Sequence, residues 1–486
     1  MIRVLYVGSG FCSAKGLAGE LPEYLLNHRS DITIDVAVPH SQNIDEGAGR
    51  LAERLVECNA RVDGQDYQVK VLEGRLEGHV RAFYMDNDCL RDGLDLSNDD
   101  GIRACAVFAH AVCAWLEQSP QAYDIVHCDG LLTALIPTFM RCLHADSKRI
   151  RNTKALVFLP GVENKAIADM SWISRMGLPE EMGSSEGMEF YGRISILKGA
   201  YLYADALAFP SDYIRTAIEK NRGRDIGMEG VLFDRTDRIH TLSIGACSKV
   251  PGPARDKAIA AAFSAEDMNG KARCKTELAQ RLRLKKNRPM ITFIGELDSE
   301  SGFDMVNDIL DDLMDRQANL VILGQGNDAY RSAVEGWQNE FRGSVAWINE
   351  KPSCESVRRV LSGSDILLLP AKHDNISRLH QIAMMYGCVV VARRLGCVAH
   401  DVQGVHFLEI LGRHEDSGGY IKIGPDDNGF IFERYDCDEF FNSAMDALDV
   451  YESAGWNEVR SHAMRESFSF EQTANDCMKI YEALKG

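Results

Sequence analysis

The sequence predicts an α/β protein built from two doubly wound domains. Short runs of β-branched and leucine residues alternate with helical patterns along the whole chain, which is typical of parallel βαβ units. Around Lys249 the stretch SKVPGPARDKA interrupts this alternation, which then restarts. A chain of 486 residues is also too long for one core. We therefore expect domains over residues 1–250 and 251–465, and a last helix, 466–486, that packs back on the first domain.

Composition narrows the class of partner. An apolar fraction of 45% and a charged fraction of 26% are typical of a soluble globular protein, and the net charge of −18 disfavours nucleic acid and membrane partners. The start, MIRVLYVGSGF, indicates a first strand rather than a signal peptide, and no apolar run is long enough to span a membrane. We expect a cytoplasmic protein that takes small molecules, neutral polymers or protein partners.

The fourteen cysteines show no CxxC pair, and Cys105, Cys113 and Cys388 lie within apolar patterns. These features favour buried, reduced thiols over disulfides or metal ligands. We expect no metal and no cofactor.

The first fifty residues predict a strand (Val4 to Val7), a glycine-rich turn, a helix (about 17–27) and a second strand (Ile32 to Val38). In the turn, GSGFCSAKGLAGELP, glycines such as Gly16 let the backbone approach a ligand, and Lys15 is positioned to meet a phosphate at the start of the helix. The spacing is not that of a P-loop. A tight turn that binds nothing is the alternative interpretation.

The rest of the first domain continues the alternation. We expect a helix over about 101–117 and strands over 82–85, 124–127 and 154–159. A helix pair is expected after Gly161, with the segment MEFYGRISILKGAYLYADALAFPSDY closing in a strand at 206–210. His127 and Asp129 follow one of these strands, at the carboxyl end where ligand groups tend to lie. For His127 we favour the other interpretation, a hydrogen-bonded structural histidine.

In the second domain we expect strands over 289–295, 319–323 and 345–348 and a single helix over 302–314. The stretch from Ser364 to Val402 predicts a strand (366–369), a helix (377–386) and a strand (388–392), so that the loops 370–376 and 393–399 are candidate site walls. A tight turn explains the lone GxG at 324–326. The last helix, about 471–484, places its apolar side chains on one face.

Several stretches in register resemble the bacterial glycogen synthase and starch synthase family. The matching stretches are SAKGLAGELPEYL, DIVHCDGLLTAL, EFYGRISILKGAYLYADAL, NGKARCKTELAQRLRL and AMMYGCVVVARRLGCVAHDV. The resemblance implies the GT-B arrangement, in which two Rossmann-like domains face each other across a cleft. It also implies transfer of glucose from ADP-glucose, or sometimes UDP-glucose, to an α-1,4-glucan with retention at the anomeric carbon.

The resemblance also implies roles for particular residues. Lys15 matches the lysine of the family's N-terminal turn and Asp374 stands where the family has its catalytic-site glutamate, so these two are the candidate catalytic residues. The candidate donor-binding residues are Gly16, Ser377, Arg378, Arg394 and Gly396.

Other positions depart from the family pattern. Glu296 and Ser301 take the places of the arginine and lysine that grip the diphosphate, Gly161 replaces a histidine of the glucose site, and Ile244 replaces an asparagine. At about 5 Å and an effective dielectric of about 20, one pair of unit charges is worth roughly 3 kcal/mol. Exchanging arginine for glutamate beside a diphosphate is therefore a swing on the order of 6 kcal/mol before screening.

Two functional hypotheses remain open. The first is a working retaining glucosyltransferase, or one that acts on a different nucleotide sugar, in which substitute cations near the loops serve the phosphates; the replaced donor-site residues predict that its transfer from ADP-glucose is weak or lost. Lys372, Arg378, Arg393 and Arg394 are available, with Arg378 and Arg394 favoured and solvated surface charges as the alternative. The second is a catalytically silent homologue that binds glucan or a protein partner in a regulatory or scaffolding role.

Overall fold

The computed structural model of the chain describes residues 1–8, 20–40, 52–76, 80–91, 94–159, 161, 166–219, 228–245, 250–372, 378–405 and 423–486. The chain divides into two compact units. The first contains Met1–Gly245 and Ser469–Gly486, and the second contains Ala246–Phe468.

The first unit is built on a nine-stranded sheet in the order β12-β11-β7-β6-β1-β2-β5-β4-β3, with a three-stranded sheet, β8-β10-β9, beside it. Its strands are β1 Ile2–Val7, β2 Ile32–Pro39, β3 Ala52–Val62, β4 Gln65–Leu76, β5 Val80–Asp86, β6 Ile125–Asp129, β7 Lys154–Phe158, β8 Ile167–Ala168, β9 Glu189–Phe190, β10 Arg193–Ser195, β11 Ala206–Phe209 and β12 Ile239–Thr241.

Its α-helices are α1 Glu20–His28, α2 Asp99–Gln118, α3 Leu135–Cys142, α4 Lys148–Asn152, α5 Trp172–Arg175, α6 Ile196–Tyr203, α7 Tyr213–Glu219 and α8 Glu229–Phe233. Short 3-10 turns occupy Asp88–Leu90, Leu131–Thr133, Glu180–Gly183 and Thr236–Arg238. In α2 the side chain of Asn98 caps the start by accepting a hydrogen bond from the Gly101 amide at 2.9 Å. The apolar residues of α2 form its buried face.

The second unit carries a six-stranded parallel sheet in the order β15-β14-β13-β16-β17-β18. Its strands are β13 Met290–Ile294, β14 Asn319–Leu323, β15 Val345–Ile348, β16 Ile366–Leu369, β17 Val389–Arg393 and β18 Gly429–Phe432. Its helices are α9 Asn269–Arg281, α10 Phe303–Asp308, α11 Leu310–Asp315, α12 Asp328–Glu340, α13 Cys354–Gly363, α14 Leu379–Met385, α15 Val398–Asp401, α16 Cys437–Tyr451 and α17 Trp456–Arg465.

Both sheets have the order of a doubly wound fold. Numbered within its own unit, the second sheet runs 3-2-1-4-5-6, and the parallel strands of the first sheet run in the same sense outward from β1. Alternate residues of β13 enter different clusters, with Ile291 and Phe293 in one core and Met290 and Ile294 in another. A sheet covered on both faces explains why its strands are continuous apolar runs. The predicted fold class, two Rossmann-like domains, is confirmed.

Several predicted elements are confirmed, including the strands at 319–323 and 366–369. The expected single helix over 302–314 is wrong, because the structure has two helices, α10 and α11, separated at Ile309. The segment after Gly161 contains two α-helices, α5 and α6, before β11, as expected. The three-stranded sheet and the 3-10 turn in the same segment were not predicted.

A long hairpin was missed by the sequence analysis. Strands β3 and β4 pair antiparallel, and the turn between them consists of Asp63 and Gly64, both with positive φ (56° and 74°). Asp-Gly between two alternating strands is a strong signal for a two-residue type I′ turn. The alternation of buried and exposed residues from Cys58 to Val62 carries the same information.

The last helix, α18 (Phe470–Lys485), belongs to the first unit. As the periodicity predicted, Ala474, Cys477, Met478 and Tyr481 are buried on one face. Gly245 permits the approach of this segment, since a Cβ there would lie 2.8 Å from the backbone of Ser469 and Phe470. Among the described residues, no helix is long and apolar enough to cross a membrane.

Candidate functional site

The switch point of the second sheet lies between β13 and β16, where strand order reverses. In open parallel sheets the ligand crevice lies outside the carboxyl ends of the strands at such a point. The loops that leave β13 and β16 are therefore the candidate site. They carry Glu296, Ser301 and Lys372, three residues that the sequence analysis named.

The loop after β13 is held close to the sheet. The amide of Ser301 donates to Asp298 Oδ1 at 2.8 Å, while Glu296 is exposed. Gly302 has a φ of +77°, and a Cβ there would lie 2.2 Å from the carbonyl oxygen of Pro370. The two loops at the switch point thus touch through backbone, and only glycine fits at this contact.

Lys372 and Arg393 are engaged by groups of the protein itself. Lys372 Nζ lies 3.6 Å from Glu300 Oε1, and the Lys372 amide donates to the carbonyl of Glu300 at 2.9 Å. Arg393 donates to the carbonyl oxygens of Lys372 at 2.8 Å and Glu433 at 3.3 Å, and its guanidinium lies 5.7 Å from the ring centroid of Tyr435. The contacts of Lys372 connect the loops that follow β13 and β16, and those of Arg393 connect the loops that follow β16, β17 and β18.

Arg394 forms an ion pair with a residue that the sequence analysis did not name. Its Nε donates to Glu433 Oε1 at 2.7 Å, and the two side chains are 25% and 58% exposed. Glu433 follows β18 directly and therefore also lies at the carboxyl edge of the sheet. The Glu433 carboxylate therefore already accepts the charged hydrogen bond that Arg394 would otherwise donate to a bound phosphate.

Arg378 is not a solvated surface charge. It precedes α14 with a φ of +47°, in the left-handed region that few non-glycine residues adopt, and it is 4% exposed. Gly396 also has a positive φ, 40°. His380 Nε2 and Gln381 Nε2 each lie 2.7 Å from Asp401 Oδ2, so α14 and α15 are joined through one half-buried carboxylate.

Four of the predicted site residues lie outside the described residues. They are Lys15, Gly16, Asp374 and Ser377. Their roles stay predictions.

The first unit has its own switch point between β1 and β6, where Tyr6 and Asp129 lie side by side. The Tyr6 hydroxyl donates to Asp129 Oδ2 at 3.0 Å. His127 is fully buried, and its Nδ1 is hydrogen-bonded to the Tyr481 hydroxyl at 2.7 Å. Burial lowers the pKa of His127 to about 3. It is a neutral structural histidine, as the favoured interpretation held.

Two positions of the first unit that depart from the family pattern, Ile244 and Gly161, are buried and half-buried. Ile244, at the asparagine position, is 4% exposed, so an apolar side chain is packed where the resemblance implies an amide. Gly161 is half-buried and leaves no side chain at the histidine position.

The lysines of the NGKARCK stretch act in packing. Lys271 is 3% exposed and donates to the carbonyls of Leu361 and Tyr386, and burial lowers its pKa to about 8. Lys275 Nζ donates to Asp365 Oδ2 at 2.5 Å, at the start of β16 and thus at the amino edge of the sheet. Both lie at the other end of the strands from the candidate site.

The glycines of the GQG turn serve contacts between loops. A Cβ on Gly324 would lie 1.8 Å from the carbonyl oxygen of Gly295, and one on Gly326 would lie 2.5 Å from Leu297 Cβ. A close backbone approach therefore explains this motif better than a tight turn alone.

The cysteines and the possible metal ligands of the described residues form neither a disulfide nor a metal site. Every cysteine in the described part is a free thiol, and Cys105, Cys113 and Cys388 are buried as predicted. Within the same part, no group of three or more His, Cys, Asp or Glu side chains could hold a metal ion.

Glu300 and Glu433 are the residues that sequence reasoning missed. Both lie in loops that leave the carboxyl ends of parallel strands, which is a usable signal. What the sequence could not provide is their pairing with Lys372 and Arg394, because the partners are 72 and 39 positions away along the chain.

The chain matches two family models. Residues 11–234 match the model described as the starch synthase catalytic domain, and residues 275–406 match the model of glycosyl transferases group 1. Together these matches cover most of both units.

Sequence relatives agree with these matches. The chain is 25% identical over 503 residues to a glycogen synthase of Thermotoga maritima, covering 99% of this chain and 98% of the relative. It is 28% identical over 496 residues to glycogen synthase 2 of Geobacter sulfurreducens, again covering 99% and 98%.

Solved structures agree in fold. The catalytic domain of starch synthase IV from Arabidopsis thaliana, bound to ADP and acarbose, superposes with a TM-score of 0.81 at 19% identity and covers 100% of this chain and 99% of its own. A sucrose-phosphate synthase from Thermosynechococcus elongatus has a TM-score of 0.59 at 13% identity and covers 100% and 99%. The two family models, the full-length relatives and the shared fold together support the glycogen and starch synthase family of GT-B glycosyltransferases for this chain.

Proposed function

We propose that this protein is a glycogen or starch synthase-type glycosyltransferase whose transfer of glucose from ADP-glucose to α-1,4-glucan is weak or lost. One observation carries the proposal. At the carboxyl edge of the second sheet, Arg394 is paired with Glu433 at 2.7 Å and Lys372 lies 3.6 Å from Glu300. Two of the four cations that could replace the family's phosphate clamps, Arg394 and Lys372, therefore already have anionic partners.

The energetic argument concerns the leaving group. A nucleoside diphosphate departs as a multiply charged anion, and preorganised cations must stabilise that charge in the transition state. Glu296 and Ser301 supply no positive charge in the loop after β13. A phosphate that approached Arg394 would have to displace the Glu433 carboxylate, so part of each new attraction is offset by one that is lost.

The active form of this proposal keeps Lys15 and Asp374 as catalytic residues, with Gly16, Ser377, Arg378, Arg394 and Gly396 around the donor. The partners would then be ADP-glucose or UDP-glucose and an α-glucan.

The second candidate is a catalytically silent homologue that binds glucan or a protein partner in a regulatory or scaffolding role. Two observations favour it. Ile244 packs an apolar side chain where the family implies a polar one, and the sheet framework is intact although the loops have changed.

Incorporation of labelled glucose tests whether any transfer survives. Purified full chain is incubated with glycogen and either ADP-glucose or UDP-glucose, and label in precipitated glycogen is counted. We expect no sustained multiple turnover with either donor. Steady turnover at a rate usual for enzymes, on the order of 1 per second or more, would refute the loss of transfer.

Retardation of the same protein in native gels that contain glycogen tests the glucan partner directly. Binding without turnover supports the silent glucan-binding form. If the chain neither transfers glucose nor binds glycogen, the silent homologue that binds a protein partner is the candidate that remains.

A further inference from the structure

The exposed aromatic ring of Tyr191 marks a second feature of the first unit, on the three-stranded sheet rather than on the nine-stranded one. Tyr191 is 86% exposed and forms, with Gly192, the two-residue turn between β9 and β10. Both residues have positive φ, 49° and 78°. A tyrosine here gains almost nothing from burial and adopts a backbone conformation that its Cβ disfavours.

The same unit shows what such a turn normally contains. The hairpin of β3 and β4 makes its two-residue turn with Asp63 and Gly64, at φ values of 56° and 74°. Asp-Gly and Asn-Gly are the residues that this turn favours. The tyrosine is therefore not required by the turn, and strained residues of this kind concentrate at sites that contact ligands.

Hydrogen bonds and a ring contact fix the turn between β9 and β10. Lys198 is 7% exposed and its ammonium donates to the carbonyls of Ser185 at 2.6 Å and Glu189 at 2.8 Å. The Gly192 amide donates to Glu189 Oε1 at 2.7 Å. The ring of Phe190 meets the Tyr191 ring edge-on, with centroids 4.7 Å apart. A ring presented on a braced turn loses little freedom when a ligand packs on it.

The surroundings favour a sugar over a protein. Apart from Tyr191, the exposed residues between 181 and 193 are Glu181, Ser184, Ser185, Glu186, Gly192 and Arg193. Protein interfaces are expected where apolar residues form a contiguous patch, and here the one exposed ring, with half-buried Phe190 against it, lies among hydrogen-bonding groups. A pyranose has a C–H face of about the size of one ring, which the negative ring face attracts, and a rim of hydroxyls for the polar neighbours.

We propose that Tyr191 is the stacking platform of a surface subsite for an α-glucan chain, with Glu189 and Arg193 as its flanking polar groups. The inference rests on the proposed function, in which an α-glucan is the polymer partner. The subsite binds and orients polymer and takes no part in bond cleavage.

Three variants of the full chain test it. Tyr191→Asn replaces the ring by a residue that suits the turn, Tyr191→Phe keeps the ring without its hydroxyl, and Phe233→Ser removes another exposed aromatic, 65% exposed on α8 of the same unit. Affinity for glycogen is measured by retardation in glycogen-containing native gels and affinity for maltoheptaose by calorimetry. Thermal unfolding of each variant is recorded alongside.

We expect Tyr191→Asn to unfold at the wild-type temperature or above it and to bind glycogen at least ~5-fold more weakly. Tyr191→Phe and Phe233→Ser should bind as the wild type does. Unchanged glycogen binding by Tyr191→Asn, or an equal loss in Phe233→Ser, overturns the subsite and leaves the proposed function standing.

Two further outcomes also decide the matter. A wild-type chain that binds neither glycogen nor maltoheptaose removes the glucan partner and the subsite together. Self-association in light scattering that Tyr191→Asn abolishes, with unchanged glucan binding, would assign the ring to a contact between copies and overturn the subsite.

Discussion

His127 Nδ1 and the Tyr481 hydroxyl are hydrogen-bonded at 2.7 Å across 354 positions of the chain. His127 lies on β6, at the centre of the first sheet, and Tyr481 lies on α18. Both side chains are fully buried, and the Tyr6 ring lies 4.5 Å from the imidazole. This bond anchors the last helix of the chain to the middle of the first unit.

Tyr481→Phe should therefore destabilise the first unit by about 1–3 kcal/mol, because His127 Nδ1 loses a buried partner. Hydrogen exchange of peptides from β1, β6 and α18 measures the opening free energy of this unit alone. The matched control is Tyr67→Phe, whose exposed hydroxyl donates to Gln65 Oε1 at 3.0 Å. Equal effects of the two substitutions would contradict the anchoring role.

Stability of the first unit should fall on mild acidification. Burial lowers the pKa of His127 to about 3 and that of His110 to about 4, from 6.5 in the unfolded chain. The unfolded state therefore binds more protons between these values. The contribution of each histidine is complete above about pH 6.5 and is lost as the pH falls toward its folded pKa, by up to about 1.4 kcal/mol per pH unit.

Urea unfolding of the first unit, followed between about pH 7.5 and pH 5, measures this slope. His110→Gln keeps a donor for the Met176 carbonyl, which His110 Nε2 approaches at 3.3 Å, but cannot titrate. It should reduce the slope by the share of one histidine. A slope equal to that of the wild type would contradict the assignment for His110.

Glu433→Gln should raise affinity for ADP. The substitution removes the charge that pairs with Arg394 Nε at 2.7 Å while keeping the shape of the side chain. Because the pair is partly exposed, we expect a gain of up to about 1 kcal/mol, or roughly 5-fold in Kd by calorimetry. The gain should shrink as salt is raised.

The matched control is Asp449→Asn, which breaks the 2.6 Å pair with Arg316. Arg316 precedes β14, so this pair lies at the amino edge of the same sheet. If the two substitutions change ADP affinity equally, Arg394 is not part of the phosphate site.

Glu296→Arg combined with Ser301→Lys should raise ADP affinity more strongly. It restores, in the loop after β13, the two charges that the family resemblance assigns to the diphosphate. Each cation within about 5 Å of a phosphate adds roughly 3 kcal/mol before screening. Calorimetry with ADP measures the gain.

Glu340→Arg, at the end of α12, controls for added positive charge. Unchanged ADP affinity in the double variant would show that Glu296 and Ser301 do not face the phosphates.

Much of the fold could be predicted because its signals are local. The run ILLL predicted β16, and the spacing of Ala474, Cys477, Met478 and Tyr481 predicted the buried face of α18. The Asp63-Gly64 turn is an equally local signal for the hairpin of β3 and β4. The break at Ile309 between α10 and α11 escaped because helical periodicity continues through it.

For the candidate site, only its location could be predicted from the sequence. The rule that ligands lie beyond the carboxyl ends of strands located the loops of Glu296 and Lys372 correctly with respect to the second sheet. The rule contains no information on which charges neutralise each other there.

The sequence by itself determined the alternation of strands and helices, the turn chemistry and the family resemblance, because each depends on residues that are close along the chain. Only the tertiary structure decided the strand order, and with it which loops are neighbours at the switch point. It also decided that Arg394 pairs with Glu433 and Lys372 with Glu300. The physical reason is that Coulomb interactions depend on distance through space, which the folded sheet sets and no local pattern encodes.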